Sequence, residues 1–303
     1  MIYTPIFFHR DWVSEKYLGW VCVYSEPDVR VIRKKCGVFE KTMFMCKGVN
    51  DERLSSLVSD KRFAVPLGID IVHDFSRSPI VDGIELSARR FEYVPNKERL
   101  LNIGTFVIDL AEEEDQLWAK LDSNTRTKAR KAQKAGVRSR VSNDIRDPDI
   151  EAFFSLYAAL AKRVGLDTPD RAVIEKMIEQ GDLIGVSAVA PDGVVNTVNL
   201  IYLCPPHAFD LYGASGENIA TGAGQFVRWE MIRLLKGRRL RWYDLGGVSS
   251  TDPSNRIYAF KKSFGGRYIE LGSEYRRVSP ILMAYKGLRR AKQFFTGTLG
   301  SYV

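Results

Sequence analysis

The chain has 303 residues and a mass of 34.4 kDa, enough to bury a large core, and this length predicts two domains. A net charge of +8 and a pI of 9.2 favour a polyanionic partner, such as nucleic acid, a phosphorylated substrate or an anionic membrane surface. Four cysteines without a CxxC pair and three scattered histidines argue against a zinc site and against histidine-centred catalysis. The absence of a disulfide framework favours a reduced, cytoplasmic compartment.

No segment has the pattern of export or membrane insertion. The first residues, MIYTPIFFHRDW, lack the basic region and long apolar run of a signal peptide. No stretch approaches the ~20 apolar residues that a transmembrane helix needs. We therefore expect a soluble or peripheral protein.

The first hundred residues are typical of β-strands, with β-branched and aromatic runs such as WVCVYS, VRVIRK and FAVPLGIDIV. The run GTFVIDL at 104–110 predicts a further strand that ends near Asp109. From Glu112 to Ala135, acidic residues precede basic ones and Gly136 follows. This order suits a helix whose dipole favours carboxylates at its start and cations at its end.

After residue 147, the pattern predicts alternating helices and strands. An amphipathic helix spans 148–165, and Thr168 is the expected N-cap of the next helix, with Pro169 at its first position. The predicted elements that follow are a hairpin at 183–203, a strand at 208–215, a helix at 225–236, a strand at 240–247, a helix opened by Asp252-Pro253, and one strand at 267–278. We also expect a final helix at about 280–297.

This element order predicts an α+β or α/β protein with mixed sheets flanked by helices. From residue 149 onward, it is also the order expected of the GNAT acyltransferase fold, in which the acyl donor binds where two neighbouring strands separate. The polar RDPD stretch at 146–149 is a plausible junction. We therefore expect domains at 1–146 and 147–279, with 280–303 packing back on the first.

A basic run extends from Arg126 to Arg140, with seven cations and no acidic residue. Like charges three or four residues apart repel one another on a helix, so an uncompensated run indicates an anionic ligand. A solubilising helix end is the alternative. We name Arg126, Arg130, Lys131 and Lys134 as candidate phosphate contacts.

Gly222 and Gly224 precede the predicted 225–236 helix, where glycines can free backbone amides to face an anion. GNAT enzymes that bind acetyl-CoA carry a similar Gly-x-Gly with a glutamine or arginine before it. Ile219 occupies that position here, so a plain turn is the alternative.

The stretch IYAFKKSFGG, residues 257–266, places two lysines between two phenylalanines. Phe260 and Phe264 are four residues apart and should share a core-facing side of the helix. Lys261 and Lys262 flank that side, so only one can lean towards the sheet. In the preceding YDLGG strand, Tyr243 and Asp244 should point to opposite faces.

Four stretches resemble the FemABX family of aminoacyl-tRNA-dependent peptidyltransferases. They are GTFVIDLAEEEDQLWAKLDSNTRTKARKAQKAGV, LYGAS with the Trp229 helix, YDLGG, and FKKSFGG, and they cover roughly residues 100–278. The resemblance implies two GNAT-like domains, with aminoacyl-tRNA as co-substrate and no metal or other cofactor. The implied reaction is attack by an amine of a peptide acceptor on the aminoacyl ester, which gives an amide and free tRNA.

By position in its motif, Lys261 resembles the family's active-site lysine, and it can neutralise a developing oxyanion. Tyr212 and Tyr243 resemble cleft tyrosines, although buried aromatic residues are an alternative, and Arg228 is a further candidate substrate contact. Asp109 could help to deprotonate the amine or could cap a helix. Lys262 joins the tRNA or phosphate contacts.

Two other functions stay open at this stage. One is an acyl-CoA-dependent N-acyltransferase that uses Gly222 and Gly224. The other is a non-catalytic binder of RNA or of a membrane surface, through the basic and aromatic tail KGLRRAKQFF. For the transferase, the acceptor is either a lipid-linked peptidoglycan precursor or a peptide antibiotic intermediate.

Overall fold

A computed structural model describes residues 12–77, 82–96, 98–216 and 222–285. In chain order, the elements up to residue 110 are α1 (Val13–Tyr17), β1 (Val21–Glu26), β2 (Val29–Cys36), β3 (Phe39–Cys46), α2 (Asp51–Ser59), β4 (Gly68–Asp74), β5 (Ile84–Leu86), β6 (Arg89–Tyr93) and β7 (Gly104–Asp109). The later elements are α3 (Glu114–Lys120), α4 (Ser123–Lys134), β8 (Arg138–Ser142), α5 (Pro148–Val164), α6 (Arg171–Glu179), β9 (Leu183–Val189), β10 (Val195–Cys204), β11 (His207–Ser215), α7 (Ala223–Gly237), β12 (Trp242–Val248), α8 (Arg256–Lys262), β13 (Arg267–Glu270) and β14 (Ser273–Val278).

The chain divides into two compact units, each built on one seven-stranded mixed sheet. The N-terminal unit contains Ser14–Ile103 and the described residues from Glu270 onward, and its strand order is β1-β2-β3-β4-β14-β6-β5. The C-terminal unit contains 104–269 with Trp12 and Val13, and its strand order is β13-β7-β12-β11-β10-β9-β8. The predicted fold class, mixed sheets flanked by helices, is confirmed.

The N-terminal unit buries one face of its sheet against α2. β3 and β4 run parallel, while β14 joins β4 and β6 in antiparallel fashion. Side chains from α2 and the central strands form the core, among them Leu54, Leu57, Phe44 and Val72. The terminal strand β14 is therefore part of the first sheet, although it is far away in sequence.

The C-terminal unit buries a larger core beneath α4 and α7. Apolar side chains of α7, such as Val227, Met231 and Ile232, pack on the sheet together with Ala129 and Ala132 of α4. The α5 helix packs on β10 and β11 through Phe153 and Tyr157. As predicted, Phe264 is buried in this core and Phe260 packs beside it, with ring centroids 5.0 Å apart.

The boundary between the units differs from the one that we predicted at 146–147. β7 pairs with β12, and β8 pairs with β9, so both strands belong to the C-terminal sheet. The C-terminal unit therefore begins at Gly104. The polar RDPD stretch, which we expected to be the junction, is instead the loop and N-cap at the start of α5. There, Asp147 accepts a hydrogen bond from the Asp149 amide.

Three predicted elements are also divided or shifted. The 112–135 run forms two helices, because Leu121 and Asp122 are extended and the Asp122 amide bonds to the Ser263 carbonyl. The 267–278 run forms two strands in different sheets, with Gly272 at a φ of +70° between them. The N-cap of α6 is Asp170, whose side chain accepts from the Ala172 amide, so Thr168 lies outside the helix.

The predicted final helix lies only partly within the described residues. Residues 280–285 are helical, and 286–303 are outside the described part of the chain. Leu282 is fully buried, and Ser279 donates to the Pro66 carbonyl at 2.8 Å, so the described start of this helix packs on the N-terminal unit. Within the described ranges, no helix is both long enough and apolar enough to cross a bilayer.

Candidate active site

The site is built around a gap between two parallel strands of the C-terminal sheet. β11 and β12 are paired only from His207 to Phe209, opposite Trp242 to Asp244. Beyond this point, β11 continues along β10 while β12 continues along β7. The two strands therefore part at Asp210, which leaves unpaired backbone groups facing the opening.

Lys261 lies at this opening. Its Nζ donates to the carbonyl of Gly247 on β12 at 2.9 Å, and the side chain is largely withdrawn from solvent. Gly246 has a φ of +77°, and a Cβ there would lie 2.8 Å from the Asp210 carbonyl and 3.2 Å from Lys261 Nζ. The ammonium group and the edge of β11 thus face the same point on β12.

The electrostatics of Lys261 follow from its burial. Desolvation penalises the charged form and lowers the pKa of Lys261 to about 8, although Asp210 and Asp244 oppose this effect. Arg228 adds to the lowering. At neutral pH, the group is an ammonium ion that can donate further hydrogen bonds. It lies in a low-dielectric setting where its charge acts strongly.

We expect this burial to be measurable as a pH dependence of stability. Between the folded pKa of about 8 and the unfolded value of ~10.4, the unfolded chain binds a proton that the folded chain lacks, so raising the pH favours folding. The free energy of unfolding of the wild type minus that of Lys261→Met should rise by about 1 kcal/mol from pH 8 to pH 9. Urea denaturation across that range measures it, and a flat difference would contradict the buried ammonium.

A buried ion pair stands beside the lysine. Arg228 of α7 donates through Nη1 to Asp210 Oδ2 and, at 2.6 Å, to the Tyr243 hydroxyl, and through Nη2 to Asn199 Oδ1 at 3.4 Å. Burial disfavours the guanidinium charge, but Asp210 and Tyr243 outweigh this and raise the pKa of Arg228. Burial raises the pKa of Tyr243, so its hydroxyl stays neutral. Arg228 and Tyr243 therefore position Asp210 at the gap.

One carboxylate oxygen of Asp210 is paired, and the other has no hydrogen-bond partner among the described residues. Oδ2 pairs with Arg228, while Oδ1 is buried and has no hydrogen-bond partner among the described residues. Buried polar atoms are seldom left unsatisfied. This unpaired oxygen, on a carboxylate whose charge acts on Lys261, is suited to accept an N–H from a ligand.

A second polar cluster fixes the turn of β12. Thr105 Oγ1 lies within hydrogen-bond distance of Asp244 Oδ1 and, at 2.9 Å, of the Gly246 carbonyl, and the Gly246 amide donates to Asp244 Oδ1 at 2.9 Å. The pairing of β12 with β7 is irregular between Asp244 and Gly247. The strand is thus bent and held where its Gly247 carbonyl meets Lys261.

Sequence reasoning missed Asp210, Asn199 and Thr105. A signal existed for Asp210, because a single carboxylate lies within the otherwise apolar and aromatic strand AFDLYGAS. A charged residue in a buried strand usually has a partner or a function. Asn199 and Thr105 join the site only through strand pairing, for which the sequence offers no comparable signal.

The structure separates the two lysines of FKKSF. Lys262 is exposed, with its Nζ 5.8 Å from the Tyr258 ring centre, whereas Lys261 is directed into the gap. The two are adjacent at the end of α8, so their side chains leave the helix about 100° apart. Of the two lysines, Lys261 is the one that lies at the gap, and its role as the active-site lysine stays a prediction.

One candidate, Tyr212, lies away from Lys261. A bulge in β11 shifts the register so that Tyr212 pairs with Leu200, while Asp210 pairs with the adjacent Ile201. Tyr212 therefore packs against α5, with its ring 5.6 Å from that of Tyr157, and does not reach the Arg228 face. Tyr212 is thus placed in the α5 core rather than with the lysine.

Asp109, the candidate for deprotonating the amine or for capping a helix, lies far from Lys261. Asp109 lies opposite Trp242 at the start of β12, whereas Lys261 bonds to Gly247 near its end. Five strand residues separate these points, roughly 16 Å at ~3.3 Å per residue. Asp109 accepts from Arg241 at 2.7 Å and lines a different cavity, of about 450 Å³. Nor does it cap a helix, because its Oδ1 accepts from the Ala111 amide before α3 begins.

Some cations of the basic run in α4 have partners within the protein, and others are exposed without an ion pair among the described residues. Arg126 donates to the carbonyls of Ala119 and Leu121 at the end of α3, and Arg130 lies over the Trp118 ring at 5.2 Å. Beyond α4, Arg140 pairs with Asp149, so more of the positive charge of the run is compensated than its sequence suggested. Lys131 and Lys134 are exposed and have no ion pair with any described residue.

The glycine loop ends at the start of α7. Gly222 has a φ of +89°, and a Cβ there would lie 2.1 Å from the Lys128 carbonyl, so α7 begins in direct contact with α4. Gly222 and Gly224 are described, whereas Ile219 lies outside the described residues. The N-terminus of α7 thus begins against the backbone of the helix that carries Lys131 and Lys134.

Together, the sheet order, the separated strands and the flanking helices define a GNAT-like fold in two units. The structure of FemX is similar to this chain, with a TM-score of 0.59, 15% identity and coverage of 91% of this chain and 92% of FemX. A putative lysylphosphatidylglycerol synthetase C-terminal domain from Agrobacterium fabrum has a TM-score of 0.53 at 14% identity, covering 93% and 91%. L-PGS from Bacillus licheniformis has a TM-score of 0.50 at 9% identity, covering 95% and 96%.

At these identities, the similarity is one of fold, and it confirms the FemABX-like architecture that the sequence motifs implied. No protein-family model matches the sequence, and no curated protein matches it either.

Proposed function

We propose that this protein is an aminoacyltransferase that moves an amino acid from aminoacyl-tRNA to an amine of a peptide acceptor. The observation that carries the proposal is the ammonium of Lys261, held 2.9 Å from the Gly247 carbonyl at the point where β11 and β12 separate. The FKKSFGG and YDLGG motifs support the donor class through their resemblance to FemABX enzymes, and the FemX-like fold agrees with it.

The chemistry needs charge stabilisation more than a strong nucleophile, because an aminoacyl ester is already activated. The acceptor amine attacks the ester carbonyl, and the developing oxyanion is neutralised by the Lys261 ammonium. The C–O bond to the ribose then breaks, the ribose oxygen takes up a proton, and the amine nitrogen loses one. With a pKa of about 8, Lys261 can also pass a proton to the leaving oxygen.

Asp210 supplies the complementary contact in this proposal. Its unpaired Oδ1 accepts an N–H of the attacking amine, while Arg228 holds the carboxylate in place from the other side. A preorganised carboxylate of this kind orients the amine lone pair towards the carbonyl. Arg228 is thereby a positioning residue, in agreement with its burial and its ion pair with Asp210.

In this proposal, exposed lysines of α4 contact the donor. The start of α4 contacts the end of α8, where the Asp122 amide bonds to the Ser263 carbonyl and Thr125 Oγ1 to Ser263 Oγ at 2.9 Å. Lys131 and Lys134 continue along the exposed side of the same helix. In this proposal, when the acceptor end of the RNA reaches Lys261, these lysines of α4 contact its phosphates.

Replacing both available cations, Lys131→Gln with Lys134→Gln, is expected to weaken tRNA binding without altering the fold. Each lost phosphate contact should reduce the slope of log affinity against log salt by about 1, so the double variant should lose up to about 2. Filter binding over a salt series measures this. Lys162→Gln with Lys176→Gln, two exposed lysines on α5 and α6, is the matched control, and an equal loss there would refute a specific role for α4.

The function itself is tested by single-turnover transfer. Wild-type protein is incubated with a pool of charged tRNAs and with two acceptors, a peptidoglycan-precursor peptide and an unrelated peptide with a free amine. We expect amide formation on one of them, and sequencing of RNA that copurifies at low salt should show enrichment of one tRNA. Absence of transfer to any amine would overturn the proposal.

Acyl-CoA-dependent N-acyltransfer is the second candidate. It is favoured by Gly222, whose left-handed conformation starts the 15-residue helix α7, because the first backbone amides of a helix are suited to bind an anion. Micromolar, saturable binding of acetyl-CoA would support this reading, and its absence would dismiss it. The same gap and Lys261 would serve either donor.

A further inference from the structure

A cavity of about 450 Å³ lies within the C-terminal unit, at the other end of β12 from the Gly247 carbonyl that Lys261 contacts. Its walls come from β7, α3, α7, β12 and the 264–267 stretch that leads into β13. Asp109 is one of its lining residues. The proposed transfer reaction makes no use of this cavity.

The cavity opens where β13 leaves the edge of β7. Leu271, just after β13, donates its amide to the Ile103 carbonyl at 2.8 Å. At the other end of β13, a Cβ on Gly266 would lie 3.2 Å from the Val107 carbonyl. β13 therefore runs beside β7 only as far as Val107, and Ile108 lies beyond it, beside the cavity.

The floor of the cavity is apolar. Leu117 of α3, Ile232 of α7 and Phe264 line it, and all three side chains belong to the buried core of the unit. A mostly apolar lining with a small number of polar groups is typical of sites for small organic ligands, and this volume is within their usual range. The apolar surface of a ligand would be removed from water here, which favours binding.

Two carboxylates line the cavity, and both are paired within the protein. Asp109 accepts from Arg241 at 2.7 Å, and Glu112 pairs with Lys120 at 2.6 Å. Lys236 brings a further cation to the same place, because its Nζ donates to the Glu112 carbonyl at 2.7 Å. The negative charge of the lining is therefore compensated.

Arg267 also lines the cavity, and it has no such partner. Its side chain is exposed and forms no ion pair with any residue in the described ranges. Together with Arg241, Lys120 and Lys236, it gives four cations against two carboxylates among the lining residues and their direct partners. This surplus of positive charge favours an anionic ligand. The guanidinium fork of an arginine matches a carboxylate through two parallel hydrogen bonds.

We propose that this cavity binds a small amphipathic carboxylate. Its charged group pairs with Arg267, and its apolar body lies on the floor formed by Leu117, Ile232 and Phe264. A single negative charge suits the site better than two, because the carboxylates of Asp109 and Glu112 repel a second one. The inference does not depend on the proposed transferase reaction.

The test is equilibrium dialysis of the full chain against naphthoate, which joins one carboxylate to two fused apolar rings. We expect one saturable site with a Kd of roughly 0.1–1 mM, as for a ligand of this size with ordinary efficiency. Naphthamide has the same shape without the charge and should bind about fivefold more weakly. Acetate has the charge without the apolar body and should not compete at equal concentration.

Protein variants locate the binding. Arg267→Gln should weaken naphthoate binding about fivefold, the effect of losing a partly exposed charge pair, and should leave naphthamide binding unchanged. Arg256→Gln, at another exposed arginine without an ion pair among the described residues, is the matched control. Lys261→Met should bind naphthoate like the wild type, because Lys261 is directed into the gap between β11 and β12.

Absence of saturable naphthoate binding, or equal affinities for naphthoate and naphthamide, would overturn the proposal. So would equal losses in Arg267→Gln and Arg256→Gln, or a loss in Lys261→Met, which would place the ligand at the gap. Tighter binding of naphthyl phosphate than of naphthoate would contradict the preference for a single charge. A loss of naphthoate affinity confined to Arg267→Gln would support the proposal.

Discussion

Replacing Lys261 with methionine is expected to slow aminoacyl transfer by about 10²–10³-fold. In the proposed reaction, the ammonium at the gap faces the developing oxyanion, and removing one such preorganised donor has effects of this size. Methionine has a similar length and an apolar end, so it should fit the buried site without a destabilising cavity. The measurement is the single-turnover rate of amide formation from charged tRNA.

The neighbouring lysine provides the control for this experiment. Lys262→Met removes the same charge one residue away, but Lys262 is exposed and directed away from the gap. We expect its transfer rate to stay within about twofold of wild type at saturating tRNA. Wild-type turnover in Lys261→Met would remove this mechanism while leaving the fold assignment intact.

Replacing Arg228 with methionine is expected to lower the free energy of unfolding by about 3–5 kcal/mol. The substitution leaves the Asp210 carboxylate buried without its partner and removes the donor to the Tyr243 hydroxyl. Arg228 is only 8% exposed, so water cannot replace the lost contacts. Urea denaturation of the full chain measures the loss.

Arg233 on the same helix is the matched control. Its side chain is 47% exposed and pairs with Glu114 and Glu230 at the surface, so Arg233→Met should change stability by no more than about 1 kcal/mol. Combining Arg228→Met with Asp210→Asn should destabilise by less than the two single changes together, because the unpaired charge is gone. Similar losses for Arg228→Met and Arg233→Met would argue against the buried pair.

The two experiments separate positioning from chemistry. Lys261→Met should affect the rate with little loss of stability, and Arg228→Met should affect both, because Asp210 loses its support. A variant of Arg228 that folds but transfers at the wild-type rate would show that Asp210 needs no fixed orientation. The combination therefore tests the proposed division of roles between the lysine and the ion pair.

The sequence by itself determined the fold class and most of the element types after residue 104, whereas α2 and β8 were not predicted. Apolar spacing identified α5 and α7, alternation and turn residues identified β9 to β11, and their order gave the mixed-sheet architecture that FemX shares. It also singled out Lys261 as the lysine to prefer, through the FKKSFGG motif. These are local patterns, and local patterns are set by neighbouring residues along the chain.

The tertiary structure alone decided what meets at the site. Strand pairing places β7 in the second sheet, moves the unit boundary to Gly104 and positions Asp109 far from Lys261. A bulge in β11 sends Tyr212 and Asp210 to opposite faces. Such outcomes depend on register and on contacts between residues more than a hundred positions apart, since a one-residue shift reverses which side chains face the core. No local pattern in the sequence carries that information.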